Sequence, residues 1–176
     1  MSVAQPERLL ADRMLGRLAR LLRMLGQDVE YNREGTSAEA AARALAEDRT
    51  FLTRSLRKRT AGEAPRTFLV ESNYPFHQAR EVLHGLCLAV RDDFARCIED
   101  NGLLEEVGRE EAAGKVPARV LDEHERFRRC PRCERFYWDG GHLQGMRHTI
   151  SVLEAAPLAH DDEGPPEAPP TPMLEP

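Results

Sequence analysis

The first half of the chain alternates short apolar runs with longer segments in which apolar positions recur at helical spacing. The short runs predict four strands, at Arg8–Ala11, Asp28–Tyr31, Thr50–Thr53 and Thr67–Val70. The longer segments predict three helices, at Arg13–Leu25, Ser37–Ala46 and Pro75–Leu86. Strands that alternate with helices in this way predict an α/β domain with a mainly parallel sheet.

Residues with known preferences for helix ends support these boundaries. Gly26 follows the first helix, where a left-handed cap favours glycine. Ser37 is predicted to be the N-cap of the second helix, with Glu39 in its first turn. Pro75 suits the first turn of the third helix. The first helix also carries an apolar stripe, made of Met14, Leu15, Leu18, Leu21, Leu22 and Leu25.

After Val90 the pattern changes to short segments and turns, which continue to Trp138. A final helix is predicted from about His142 to Ile150. Residues 151–176 are rich in proline and acid and cannot bury a core, which predicts disorder. We therefore predict a domain over residues 8–91, a small module with a closing helix over residues 92–150, and a disordered tail over residues 151–176.

Composition and charge add to this picture. An apolar content of 41% with 31% charged residues is that of an ordinary soluble protein. No apolar run approaches the roughly 18 residues that cross a membrane, and no signal peptide is recognisable, so we expect no membrane partner and a cytoplasmic location. Six of the 30 acids lie after residue 150 with no Lys or Arg, which leaves 24 acids and 25 bases in residues 1–150.

Asp12 ends the first predicted strand, at the edge where parallel α/β sheets place their ligands. A carboxylate there can hold Mg²⁺ or Mn²⁺ through oxygen, usually beside other carboxylates. It can equally cap the helix that begins at Arg13. Spacing alone leaves both roles open.

Basic residues form two clusters near the same predicted edge. The first lies on one face of the first helix: Arg13, Arg17, Arg20 and Arg23. The second follows the third strand: Arg54, Arg57, Lys58 and Arg59. Each cluster is either solvated surface or a track for nucleic-acid phosphates. Two clusters on one edge favour a site for a polyanion.

Cys130 and Cys133 form a CPRC turn ahead of an aromatic strand. In a protein of the cytosol this spacing suggests zinc rather than a disulfide. Cys97 supplies a third sulfur, and the position three residues later holds Asp100. Zinc accepts carboxylate oxygen, so three cysteines and Asp100 form a chemically reasonable site.

Alternatives to this ligand set stay open. His124 and His142 are the other candidates for the fourth ligand, and packing alone could hold the turn without a metal ion. Cys87 lies within the apolar run GLCLAV, where a buried core thiol is expected.

The chain resembles the Mut-seven C-terminal RNase family in three segments, LADRMLGRLARLLRMLGQDVEY, FLTRS and VPARVLDEHERFRRCPRCERFYWDGGHLQGM. These segments follow the family's order over about residues 8–148. The resemblance implies a PIN-like, three-layer α/β domain followed by a zinc-ribbon module. It also implies RNA as the substrate and hydrolysis of the phosphodiester by metal-bound water, with clustered carboxylates holding Mg²⁺ or Mn²⁺.

The resemblance also assigns site residues. Asp12 matches the family's first aspartate, and Glu39 is the nearest second acid. Ser37, Ser55 and Asn73 stand where the family has acids. The zinc ligands implied are Cys97, Cys130 and Cys133, with Asp100 in place of the remaining cysteine. The basic residues expected to contact RNA are Arg13, Arg17, Arg20 and Arg54.

Serine and asparagine can touch a metal ion, but they bring no negative charge to offset it. Three functions therefore remain open. The first is a metal-dependent endoribonuclease with Asp12 as principal metal ligand and Glu39 assisting. The second is a catalytically inactive RNA-binding module that keeps the basic edge and the ribbon. The third is a protein-interaction adaptor that uses the acidic tail. The oligomeric state does not follow from the sequence.

Overall fold

The main sheet consists of four parallel strands. The computed structural model describes residues 7–55, 64–91, 93–138 and 151. Its first four strands are β1 (Arg8–Ala11), β2 (Asp28–Tyr31), β3 (Thr50–Thr53) and β4 (Thr67–Leu69). Their order is β2-β1-β3-β4, and each neighbouring pair is parallel. The predicted parallel sheet is confirmed, although β4 ends before Val70.

The three helices predicted for this part of the chain are all present. A 3-10 turn at Arg13–Leu15 leads into α1 (Gly16–Met24), so the first predicted helix begins with a tighter turn. The next helix, α2 (Ser37–Ala46), precedes β3, and α3 (Pro75–Gly85) follows β4.

The predicted capping residues of two helix ends had different outcomes, one confirmed and one wrong. Gly26 adopts a φ of +81° after α1, as predicted for a glycine in that position. The N-cap of α2 is Thr36, so the prediction of Ser37 was wrong by one residue. The Thr36 hydroxyl accepts a hydrogen bond from the Glu39 N–H, and the Glu39 carboxylate accepts one from the Thr36 N–H. This capping box leaves the Ser37 hydroxyl for another contact.

Alternate residues of β1 pack on opposite faces of the sheet. Leu9 belongs to the larger apolar core, which α1 and α3 cover. Leu10 belongs to a smaller core with Phe51 and the alanines of α2. The helices therefore cover both faces, in agreement with the burial of β1 and β3. The apolar stripe of the first helix faces the larger core except at Met14, which is 56% exposed.

A second, antiparallel sheet follows. Its strands are β5 (Glu105–Val107), β6 (Phe127–Arg129) and β7 (Phe136–Trp138), in the order β5-β6-β7. Two short helices, α4 (Arg109–Ala112) and α5 (Ala118–Glu123), lie between β5 and β6 in the chain. A separate small core stabilises this part, made of Ala112, Val116, Val120 and Phe127.

Two predictions lie outside the described residues. These are the closing helix at residues 142–150 and the disordered tail, of which only Ser151 is described. Among the residues described, every helix is too short or too polar to cross a membrane.

Arg23 joins the parallel sheet to the loop of residues 97–102, which we call the first cysteine loop. Its side chain is buried, with only 2% of the residue exposed. Nε donates to the Val29 carbonyl on β2 at 2.8 Å, and Nη1 donates to the carbonyls of Ile98 and Glu99 at 2.9 and 2.7 Å. The prediction that Arg23 belongs to the exposed basic face was therefore wrong, because α1 turns this side chain towards backbone carbonyls that need donors.

Replacing Arg23 with methionine should destabilise the fold. The change keeps much of the side-chain volume but removes the donors to three carbonyl groups. We expect the free energy of unfolding to fall by about 2–4 kcal/mol in urea denaturation. The control is Arg17→Met on the exposed face of α1, expected within about 0.5 kcal/mol of wild type. Equal stability of the two variants would contradict the role given to Arg23.

Candidate functional sites

Asp12 lies at the carboxyl end of β1 and is fully buried. Its N–H donates to the Leu52 carbonyl at 2.9 Å, which fixes the backbone beside β3. Oδ1 accepts a hydrogen bond from the Arg13 N–H at 2.8 Å. Oδ2 accepts hydrogen bonds from two hydroxyls, Ser37 Oγ at 2.6 Å and Thr53 Oγ1 at 3.0 Å. Asp12 therefore joins the ends of β1 and β3 to the first turn of α2.

Of the two roles considered for Asp12, the structure shows the capping role, and the metal-ligand role stays a prediction. The carboxylate caps the 3-10 turn through Arg13 and also lies at the sheet edge. Its oxygens are engaged by uncharged donors. Within the described residues, Asp12 is not part of any group of three or more His, Cys, Asp or Glu side chains that could hold a metal ion.

Glu39 is engaged at the start of its own helix. Its Oε2 accepts from the Thr36 N–H at 2.7 Å and from the Thr36 hydroxyl at 3.0 Å. The hydrogen bond from the Thr36 backbone lowers the pKa of the Glu39 carboxyl below its ordinary value, although the side chain is exposed. Glu39 is thus an ionised capping residue in this structure.

The positions of Ser55 and Asn73 lie beside Arg54. The Ser55 N–H donates to Thr53 Oγ1 at 3.1 Å, so the same hydroxyl that donates to Asp12 also accepts a hydrogen bond. Arg54 Nη2 donates to Asn73 Oδ1 at 2.7 Å. This contact holds the Arg54 guanidinium across the ends of β3 and β4.

The predicted basic face of the first helix divides into three environments. Arg13 and Arg17 are exposed, and neither forms an ion pair within the described part of the chain. Arg20 forms an ion pair with Glu99, with Nη2 2.5 Å from Oε1. Arg23 is buried, as described above. The cluster at residues 57–59 lies outside the described residues.

The first cysteine loop has a compact backbone that brings its ligand candidates together. The Cys97 N–H donates to the Gly102 carbonyl at 2.8 Å, and the Asn101 N–H donates to the Cys97 carbonyl at 3.0 Å. Asn101 takes a left-handed φ of 69°, a conformation that asparagine tolerates better than most residues. The loop therefore turns back on Cys97 and presents Asp100 beside it.

The loop of residues 130–135, the second cysteine loop, repeats this backbone geometry. The Cys130 N–H donates to the Arg135 carbonyl at 2.9 Å, and the Glu134 N–H donates to the Cys130 carbonyl at 2.8 Å. Glu134 is also left-handed, with a φ of 59°. Asp100 occupies in the first loop the position that Cys133 occupies in the second.

The two loops bring four ligand atoms together. The sulfurs of Cys97, Cys130 and Cys133 and a carboxylate oxygen of Asp100 lie within 4.8 Å of one another. The sulfurs of Cys97 and Cys133 are 3.6 Å apart, and Cys130 Sγ is 3.2 Å from Asp100 Oδ1. This group could bind a metal ion and is compatible with structural zinc. His124 is not part of the group. The other alternative, His142, lies outside the described residues.

Ionisation differs between the sulfurs and the carboxylate. Burial raises the pKa of Cys133 to about 12. Burial also acts to raise the pKa of Asp100, but the hydrogen bond from the Gly102 N–H and those from the cysteine sulfurs outweigh it and lower that pKa. At neutral pH Asp100 is therefore ionised, whereas the Cys133 thiolate needs a cation beside it.

A family model, the Mut7-C RNAse domain, matches residues 7–150. The chain belongs to this family. Both sheets, the Asp12 edge and the four metal-ligand candidates lie within the matched residues of the Mut7-C RNAse domain. Membership indicates a ribonuclease-type function with RNA as the substrate class. No curated protein and no solved structure matches the chain.

Two polar side chains of this Mut7-C RNAse domain were not singled out in the sequence. Thr53 donates to Asp12, and its only signal was its place at the end of β3. The Tyr137 hydroxyl lies 2.9 Å from Cys97 Sγ, and its only signal was the aromatic strand after CPRC. Burial raises the pKa of Tyr137, so the phenol keeps its proton and can donate it to a thiolate.

Removing a bound metal ion should destabilise the Mut7-C RNAse domain. We expect the purified protein to contain one zinc ion per chain, measured by elemental analysis. Cys133→Ser should lower this content and the melting temperature, because it removes a ligand from the group.

The matched control is Cys87→Ser. Cys87, which the sequence analysis expected in the core, is exposed and outside the ligand group. Its replacement should leave both zinc content and melting temperature unchanged. A folded wild-type protein with no zinc after purification and zinc addition would contradict the assignment.

Proposed function

We propose that this Mut7-C RNAse domain binds RNA along the carboxyl edge of its parallel sheet and has lost efficient hydrolysis there. The environment of Asp12 carries the proposal. Its Oδ2 is shared by the Ser37 and Thr53 hydroxyls, and within the described residues Asp12 belongs to no group of three or more side chains that could hold a metal ion.

Charge explains why this environment disfavours hydrolysis. Cleavage by metal-bound water needs divalent ions that activate the water and neutralise the scissile phosphate. Several carboxylates usually hold such ions. Hydroxyls at Ser37 and Thr53 can contact a cation but do not balance its charge. A single buried carboxylate therefore supports at most a weakly held Mg²⁺ or Mn²⁺.

RNA binding does not require carboxylates at this edge, because positively charged side chains are sufficient for phosphate contacts. Arg13 follows Asp12 directly and Arg17 is exposed on α1, and neither has an ion pair among the described residues. Arg54 is held by Asn73 near the same edge. Arg20 is half exposed, and its partner Glu99 also pairs with Arg135, so Glu99 keeps a positive partner when Arg20 binds a phosphate.

A second candidate is a slow, metal-dependent endoribonuclease. The buried position of Asp12 at the carboxyl end of β1 favours it, because ligands of parallel α/β sheets bind at that edge. In this mechanism Asp12 is the principal ligand of Mg²⁺ or Mn²⁺. Glu39 assists only if it leaves its capping contacts with Thr36.

We also propose a PIN-like domain over residues 8–91, followed by a zinc-ribbon module over residues 92–150. The small core of Ala112, Val116, Val120 and Phe127 supports this division, although Phe94 of the second part belongs to the larger core. The zinc ion has a structural role in this proposal. It holds the two cysteine loops together where Arg23 attaches the first of them to the sheet.

RNA affinity should depend on salt and on the exposed arginines. In fluorescence anisotropy with labelled single-stranded RNA, we expect binding at low salt that weakens as salt rises. Replacing Arg17 with alanine should weaken binding and reduce the salt slope by about 0.7. The matched control is Arg119→Ala on α5. The Arg119 side chain is 84% exposed, and its replacement should leave RNA affinity and the salt slope unchanged. Absence of RNA binding at low salt would contradict both candidates.

Cleavage assays on the same RNA with Mn²⁺ separate the two candidates. We expect no cleavage that depends on Asp12, so wild type and Asp12→Asn should give the same background. Metal-dependent cleavage that Asp12→Asn abolishes would overturn the loss of hydrolysis and establish the endoribonuclease.

Adding an acid beside Asp12 should create a cation requirement. Ser37→Asp places a second carboxylate where a hydroxyl now lies 2.6 Å from Asp12 Oδ2. Without divalent ions the two charges repel, so the melting temperature should fall below that of wild type. Mn²⁺ should reverse this loss, by about 2.7 kcal/mol at a concentration 100 times the dissociation constant.

The control for this variant is Ser37→Ala, which removes the hydroxyl without adding charge. Its melting temperature should not respond to Mn²⁺. A Ser37→Asp protein that is equally indifferent to Mn²⁺ would show that missing charge is not what prevents metal binding at this edge.

A further inference from the structure

We propose that Asp100 makes the metal site of the two cysteine loops selective for zinc over softer divalent ions such as cadmium. This inference is independent of RNA binding and concerns only the four ligand candidates. Thiolate ligands favour soft ions, whereas carboxylate oxygen favours harder ones, and zinc accepts both. Exchange of one sulfur for oxygen therefore penalises the softer ion more.

The backbone of the first cysteine loop places Asp100 at a ligand position, which distinguishes it from a surface acid that merely lies nearby. The two cysteine loops have the same pattern of backbone hydrogen bonds and the same left-handed residue after the fourth position. In the second loop that fourth position holds Cys133. Asp100 therefore holds the position at which a cysteine would complete a site of four sulfurs.

The first cysteine loop also orients the carboxylate. Asp100 Oδ1 accepts a hydrogen bond from the Gly102 N–H at 2.9 Å. A Cβ at Gly102 would lie 3.0 Å from Cys130 Sγ and 3.1 Å from Asp100 Oδ1, so glycine leaves room for both ligand atoms. The hydrogen bond from Gly102 engages Oδ1, and Oδ2, which is 3.4 Å from Cys130 Sγ, becomes available for a single bond to the metal ion once Cys130 is a thiolate. Zinc in a tetrahedral site is satisfied by one oxygen.

The remaining ligands reinforce the same preference. The Tyr137 hydroxyl lies 2.9 Å from Cys97 Sγ and donates to that sulfur once it is a thiolate. Such a hydrogen bond draws electron density from the sulfur and weakens its bond to a soft ion. Only Cys130 and Cys133 then remain as thiolates without a phenol donor among the described residues.

The test compares zinc and cadmium affinities of the full chain, each measured in competition with a chromophoric chelator. Asp100→Cys should shift the ratio of the two affinities towards cadmium by roughly tenfold or more. Asp122→Cys is the matched control, because it adds a thiol at a side chain that is 76% exposed on α5, outside the ligand group. Its ratio should equal that of wild type.

Cobalt gives a second readout that does not depend on affinity. Sulfur-to-cobalt charge-transfer absorption grows with the number of bound thiolates. The absorption of wild type, with three thiolates, should therefore be about three quarters of that of Asp100→Cys, with four. Asp100→Asn, which keeps the shape and the acceptor for Gly102, should lose zinc affinity more than cadmium affinity.

Unchanged zinc affinity in Asp100→Asn would overturn the proposal, because it would mean that Asp100 does not bind the ion. Equal zinc-to-cadmium ratios, or equal charge-transfer absorption, in wild type and Asp100→Cys would overturn it as well.

Discussion

One buried guanidinium connects the two halves of this protein. The Val29 carbonyl and N–H both point away from β1, on a strand that has no further neighbour in the described sheet. Arg23 donates to the carbonyl, and the Asn101 amide oxygen accepts from the N–H at 3.0 Å. Side chains thus satisfy an outer strand that could otherwise pair with another chain. A lysine could not replace Arg23, because its single ammonium lacks the planar set of donors that three carbonyls require.

This arrangement makes the metal-ligand group and the sheet edge depend on the same residues. Asn101 is the left-handed residue of the first cysteine loop, and its amide nitrogen also donates to Asp28 at 2.8 Å. Any change in that loop therefore disturbs the hydrogen bonds of β2. The first cysteine loop is therefore part of what completes the outer edge of the main sheet.

The sequence predicted the strands and helices well because their apolar spacing is local information. It also predicted that Asp12 ends the first strand and that Asp100 joins the three cysteines in one ligand group. It could not predict that Arg23 is buried while Arg17 and Arg20 are not. The three arginines have equivalent helical spacing, and spacing does not show which side chain contacts a neighbouring loop. The N-cap at Thr36 was missed for a similar reason, since adjacent Thr and Ser have nearly equal capping preference. The roles of Thr53 and Tyr137 depend on tertiary contacts that no local pattern contains.

The separation of the two cysteine loops along the chain has a consequence for the unfolded state. Cys97 and Cys130 belong to one candidate metal-ligand group, although about thirty residues separate them along the chain. An ion bound by this group would close a long loop, and a covalent cross-link of that length stabilises a fold by about 3–4 kcal/mol through the entropy of the unfolded chain. Residues 105–129, which include β5, α4, α5 and β6, lie inside this closed loop. With the ion bound, these short elements and their small core would fold between two ends that are held together, which lowers the loss of chain entropy that their few apolar contacts must offset.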